Sequence, residues 1–362
     1  MRERGTPRPT AVGKAAMLGL GLLLGAAAVE AAARLLWTRP WYDRLVAERP
    51  APDSARTIRR GSLGLRDRGD PSPPSRGVER VLVVGDSVTF GSGLVDPEKI
   101  FASLVGSRLS AEPRRRVEVL NAGEPGSLAG DWLATLRRLG PVFRPDVVLV
   151  VLSPGDGPRT TAGEDFFGPI RSEIAARNRD SRMYRHVYAW RWWRDRMDRR
   201  DVSGRYSREI VLAYTGSEAE TAQWRSTRES LRAIRDEAAA FGARAGLVVF
   251  PILADFGPDH PFREVYDRVE EAGIGAGMPT LDLLPAFRGE DAPSLWVSPL
   301  DQDPNERGHE IAAEAILPFV RSLLAEGPAR GAPGSDAPGG LDREPGTGAG
   351  EGPGGASSPG PP

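Results

Sequence analysis

The chain has 362 residues, of which 40% are hydrophobic, and 48 Lys plus Arg nearly balance 49 Asp plus Glu; that length and apolar content support one large domain or two small ones with a true core. The near-neutral charge excludes the basic excess that phosphate backbones select, so no nucleic-acid partner is expected. The complete absence of cysteine excludes disulfides, thiolate metal sites and cysteine nucleophiles.

At the N-terminus Arg2, Arg4, Arg8 and Lys14 precede an apolar run from Ala15 to Val29. A charged segment followed by a hydrophobic one addresses a chain to a membrane. A span needs roughly 20 residues, so this run crosses a bilayer with Glu30 and Arg34 snorkelling at its far end and Trp37 and Trp41 at the interface. Small residues at Ala26, Ala28, Ala31 and Ala33 leave a cleaved signal peptide as the alternative. The apolar character that continues past them favours an uncleaved signal anchor over residues 1–37. By the positive-inside rule the remainder then lies outside the cytoplasm, periplasmic or extracellular. Residues 38–78 read as a membrane-proximal segment and linker that closes on "DPSPPSRGVER".

From residue 79 the pattern alternates. Short β-branched runs occur at 79–84, 117–120, 146–152, 246–250 and 279–283, with helical spacing between most of them. Ile100, Phe101, Leu104, Val105 and Leu109 share one helical face, as do Ile311, Ala312, Ala315, Ile316, Phe319 and Leu323. Strands that read as continuous Val and Leu are buried on both faces. The pattern predicts an α/β domain over 79–326, a three-layer α/β/α sandwich on a parallel sheet of about five strands. Sites in such sheets lie beyond the carboxyl ends of the strands, and "GDS", Gly85 to Ser87, follows the first strand at that edge.

One segment breaks the alternation. About 160–218 is longer than a crossover requires and carries "MYRHVYAWRWWRDRMDRR". As an insertion it could supply a lid, a membrane-surface contact or a sugar-stacking platform through Trp190, Trp192, Trp193 and their arginines. The plainer reading, an amphipathic excursion whose aromatics pack on the domain, is favoured because aromatic stripes are commonly core. From 327 to 362 the chain is Gly/Pro-rich with almost no large apolar residue, which predicts a disordered tail.

A serine hydroxyl needs a base to take its proton and donors to hold the oxyanion, and "GDS" alone is also ordinary turn and cap chemistry. In order, however, the chain shows "RVLVVGDSVTFGSGL", "LNAGEPGS", "PDVVLVVLSPGD" and "LDQDPNERGHEIAAEAI", with "GSLGLRDR" ahead of them. Together these blocks, over roughly 60–322, resemble the SGNH (GDSL-like) hydrolase superfamily, in particular its exported, membrane-anchored bacterial members. The resemblance implies a flavodoxin-like fold and an acyl-serine mechanism on esters, with an acylated carbohydrate or a lipid ester as ligand and no cofactor. It puts Ser87 at the nucleophile, with its own N–H and that of Gly126 in the oxyanion hole.

Two of the four residues that name the superfamily are replaced. The third oxyanion donor, normally Asn, aligns with Gly155, which has no side chain. The general base, normally His, aligns with Asp303, and Asp301 takes the position of the orienting acid. Loss of one oxyanion donor costs on the order of 3 to 4 kcal/mol, and loss of a triad base about a million-fold in turnover. Alternative bases are His309, which falls in the Gly308-His309 pair that opens the last helix and reads as structural, and His260, which follows the fourth strand. His186 belongs to the insertion, with nothing to position it. Convergence of Asp86, Asp156, Asp301 and Asp303 could hold a hard cation, but no close-spaced ligand loop supports it. The sequence thus leaves a catalytically impaired or inactive hydrolase fold beside an active esterase, deacetylase or O-acyltransferase with a non-standard base.

Overall fold

Runs of valine and leucine assemble into one parallel sheet. In the computed structural model, which describes residues 10–36, 65–66, 77–91, 95–156, 167–215, 222–298 and 301–326, strands β1 (Glu79–Gly85), β2 (Val117–Gly123), β3 (Val147–Leu152), β4 (Arg244–Val249) and β5 (Thr280–Asp282) lie in the order β2-β1-β3-β4-β5. All neighbours pair parallel. This is the flavodoxin-like order, with its switch point between β1 and β3. Every residue of β3 is buried, because helices cover both faces of a central parallel strand; the edge strand β2 is only partly so.

The helices are α1 (Ala11–Leu36), α2 (Ser87–Phe90), α3 (Phe101–Ser110), α4 (Ala129–Phe143), α5 (Phe167–Asp180), α6 (Arg182–His186), α7 (Tyr188–Thr215), α8 (Ala222–Ala240), α9 (Arg263–Gly275), α10 (Leu284–Phe287) and α11 (Glu306–Ala325). On one face of the sheet pack α3 and α11, on the other α4, α8 and α9. The apolar stripes read from the sequence are what they bury: Ile100, Phe101, Val105 and Leu109 on one side of that layer, Ile311, Ala312, Ile316 and Leu323 on the other. Each such large side chain contributes about 1.5 to 3 kcal/mol by leaving water. A small antiparallel ribbon, β6 (Trp296–Ser298) with β7 (Asp301–Pro304), precedes α11.

α1 runs unbroken for 26 residues, past Val29 to Leu36, with a window of mean hydropathy 1.8 of which nothing is buried. At 1.5 Å per residue it is about 39 Å long, against a hydrocarbon core of about 30 Å. By length and composition it can cross a membrane, as an anchor or a signal sequence. Trp37, Trp41, nearly all of 38–78 and the tail at 327–362 lie outside the described residues.

Between β3 and the crossover helix α8, the excursion folds as α5, α6 and α7. Ile210 and Tyr214, at the end of α7, join the main core, while Ile174 and Val202 form a separate small cluster. The favoured expectation for its tryptophans is corrected here. Trp192 is 56% exposed and Trp193 42%, and neither core cluster includes them.

Candidate active site

β1 delivers Ser87 to the carboxyl edge of the sheet. Gly85 is in register with Gly123 on one side and Val151 on the other, and Asp86 then caps α2 by accepting from the Val88 N–H at 3.0 Å. A Cβ on Gly85 would stand 2.1 Å from Thr89 Oγ1 and 2.6 Å from the Val151 carbonyl oxygen. The turn therefore demands glycine, and Gly85 and Asp86 both have backbone reasons to be present.

The half-buried Ser87 hydroxyl donates to Asp303 Oδ1 at 3.3 Å, a long hydrogen bond by hydroxyl standards. Asp303 stands on β7, where its N–H donates to Asp301 Oδ1 at 3.2 Å, and the Asp301 N–H donates to Ser298 Oγ at 3.1 Å. Asn305 fixes the end of the block. It caps α11 through the N–H groups of Arg307 and Gly308, and its amide donates to the carbonyls of Ser294 and Trp296. The folded chain thus brings residues 87 and 303 together across 216 positions.

The loop bearing Gly126 is clamped to the same edge. Gly126 has φ +75°, the left-handed region that favours glycine. Next to it, Ser127 Oγ donates towards the carbonyls of Gly85 (3.1 Å) and Glu124 (2.6 Å) and accepts from Trp132 Nε1 at 2.8 Å. Gly155 lies in a 3-10 turn after β3. Here the insertion intervenes: the Tyr206 hydroxyl of α7 donates to the Gly155 carbonyl at 3.0 Å, and a Cβ on Gly155 would be 3.6 Å from that hydroxyl. A phenol borders the space an asparagine side chain would use.

The histidines are engaged elsewhere. His309 is fully buried, stacks on Phe101 at 5.9 Å between ring centroids, and has no hydrogen-bond partner among the described residues at either ring nitrogen. Burial, with a smaller contribution from the Arg66 charge, pushes its pKa down to about 3. It is a neutral core residue and makes no hydrogen bond to Ser87. Both ring nitrogens of His260 are taken, Nδ1 by the Asp255 carbonyl and Nε2 by the Tyr266 hydroxyl. Since Tyr266 accepts from the Ile252 N–H at 2.9 Å, its proton points to His260 Nε2, which fixes the imidazole as Nδ1–H with its lone pair occupied. Burial lowers its pKa as well. His186 is exposed on α6. Among the described residues no group of three or more His, Asp or Glu is arranged to hold a metal ion.

Beside this edge lies a cavity of about 450 Å³ whose lining includes Tyr206, Ile252, Phe256, Asp291, Trp296 and Gln302. Gln302 is the residue between Asp301 and Asp303, and alternation along a strand turns it away from them. The cavity therefore abuts the serine block without containing Ser87.

Sequence reasoning did not find Tyr206, because nothing local marks a residue 51 positions downstream as a neighbour of Gly155. Arg66, in "GSLGLRDR", was within reach. Its buried guanidinium donates to the carbonyls of Phe90, Gly91 and Val95 and lies 4.9 Å from the Phe90 ring, so it holds the chain that leaves α2. An arginine directly after the apolar Leu65 in a turn-like segment was its signal.

No protein-family model matches this sequence, and no curated protein does. Among solved structures the chain is similar to TesA, at 18% identity and a TM-score of 0.43 over 68% of this chain and all of that one. It is also similar to a lipase/acylhydrolase from Enterococcus faecalis, at 18% and 0.40 over 70% of this chain and all of that one. A catalytic mutant of the acetylxylan esterase Axe2 from Geobacillus stearothermophilus gives 17% and 0.39 over 68% and 94%. At such identities residue roles do not transfer, and the chemistry rests on this chain's own residues.

Proposed function

We propose that this chain is an SGNH-type (GDSL-like) hydrolase relative, held to a membrane by α1 with its α/β domain outside the cytoplasm, and that it works as a catalytically impaired binding or assembly component. The ordered sequence blocks and the flavodoxin-like sheet support the family. The four positive charges ahead of the apolar run from Ala15 to Val29 support the orientation. The observation that carries the impairment is the partner of Ser87, a carboxylate at 3.3 Å where the family places an imidazole.

Attack by Ser87 would form a bond from Oγ to an ester carbonyl carbon and send the hydroxyl proton to Asp303. An ordinary carboxylate, with a pKa of about 4, holds that proton poorly. The developing oxyanion would find the N–H groups of Ser87 and Gly126, but no side-chain amide at Gly155. A second reading is kept by the same contact. Ser87 does have an acceptor in reach, so a slow esterase acting on an acylated carbohydrate or lipid ester remains the alternative.

Fluorophosphonate labelling separates them. Displacement of fluoride by an activated Ser87 would leave a phosphonylated chain, and Ser87→Ala is the control. The expected result is no labelling of the folded chain above that control. Stoichiometric labelling lost in Ser87→Ala would establish an active serine and overturn the impaired reading.

A further inference from the structure

A carboxylate near the end of an apolar span is costly unless it is satisfied, and Glu30 is satisfied from an unexpected direction. It accepts from the backbone N–H groups of Tyr188 and Ala189, each at 3.0 Å, and from Arg34 at 3.0 Å. Tyr188 and Ala189 are the first residues of α7, whose opening N–H groups have no partner within their own helix. Glu30 thus acts as a cap supplied from 158 residues away, its charge at the positive end of the helix dipole. Arg34 completes the clamp, donating to the His186 carbonyl at 3.4 Å with its guanidinium 4.7 Å from the Tyr188 ring. The Arg191 guanidinium lies 4.2 Å from that same ring. Instead of snorkelling alone, Glu30 and Arg34 fasten the insertion to the membrane helix immediately beyond its apolar run.

We infer that residues 182–200, comprising α6 and the first turns of α7, form a platform that lies on the anionic headgroup surface of the bilayer crossed by α1; this rests on the membrane-anchored reading above. Position is the first argument. Trp192 and Trp193 are within about 8 Å of the clamp along α7, which puts them at the level where a span meets water. Exposure is the second: Trp192, Trp193 and Met183 are all exposed, and neither core cluster includes them. Charge is the third. The only acids in the stretch are Asp195 and Asp198, and both are buried. Asp195 accepts from the Tyr184 hydroxyl at 2.8 Å, and Asp198 from Arg177 at 2.6 Å and Arg194 at 3.2 Å. The outward side is therefore cationic, with Arg182, Arg185, Arg196 and Arg200 exposed. Tryptophan beside arginine, with the acids turned inward, is the chemistry of a bilayer interface rather than of a sugar cleft.

The chain has no cysteine, so single nitroxide labels report without background. The full chain is reconstituted in phosphatidylcholine vesicles, with and without phosphatidylglycerol, carrying Leu22→Cys, Trp192→Cys or Val142→Cys in turn. Leu22 reports on the span, and Val142 is an exposed residue of α4. With phosphatidylglycerol present, the label at 192 is expected to collide with an aqueous nickel chelate about fivefold less than the label at 142, and Glu30→Ala is expected to erase that difference. Equal accessibility at 192 and 142, with 22 still in lipid, would overturn the platform and leave the anchor standing. A water-accessible label at 22 would overturn the anchor and the platform with it. Persistence of the protection in Glu30→Ala would refute the clamp as its cause.

Discussion

Replacing Asp303 by histidine is expected to awaken Ser87. Asp303 Oδ1 is 3.3 Å from Ser87 Oγ, so the position already has the reach a base requires, and an imidazole extends about one bond further than a carboxylate. Asp301 is two residues away on the same side of β7, where it can orient the new ring. The ordinary pKa values are about 4 for a carboxylate and about 6.5 for an imidazole, a difference worth up to about 3.5 kcal/mol, or a few hundredfold, if fully expressed in the transition state. The missing amide at Gly155 caps the recovery, since one oxyanion donor is worth on the order of 3 to 4 kcal/mol. Adding Gly155→Asn should help only when Tyr206→Ala clears the phenol that borders that space. The assay is the second-order rate of fluorophosphonate labelling of the full chain in detergent, with Ser87→Ala in the same background. An Asp303→His chain that melts like the parent yet labels no faster than it, or that labels equally without Ser87, would refute the assignment of 303 as the base position.

Two further outcomes follow from buried groups. Arg66→Met should lower stability by about 3 kcal/mol, because three carbonyls of the segment after α2 lose a charged donor; a change below about 0.5 kcal/mol in denaturant melts would mean water replaces it. His309 is neutral in the fold with a pKa near 3 and close to 6.5 when unfolded, so the unfolded chain binds the extra proton between those values. Stability is therefore full above pH 6.5 and is lost as pH falls towards 3, by about 2 kcal/mol at pH 5. His309→Leu should flatten that part of the pH profile, and an unchanged slope in the variant would show that other groups produce it.

Much of this molecule was readable one segment at a time. Hydrophobic periodicity depends on near neighbours, so the five strands, the burial of β3, the apolar faces of α3 and α11 and the apolar helix at the N-terminus all follow from spacing along the chain. The serine turn was legible for the same reason, since Gly85, Asp86 and Ser87 obey local steric and capping rules. The register of blocks also matched Asp303 to the base position, but only folding could bring its oxygen to Ser87, because β1 and β7 are distant in sequence.

The roles of His260, Tyr206 and Glu30 were decided by tertiary structure alone, whereas His309 already read as structural in the sequence. What the letters did not give for His309 is the partner that buries it, the Phe101 ring, and the desolvation that keeps it neutral. Trp192 and Trp193 looked like core because aromatic composition says nothing about which face has a partner. Glu30 read as a residue snorkelling at the far end of a membrane span, and became the cap of a helix 158 residues later. Sequence specifies which groups need satisfying, through local sterics and hydrophobicity, whereas the partner that satisfies each one is a property of distance in space, which only the packed chain defines.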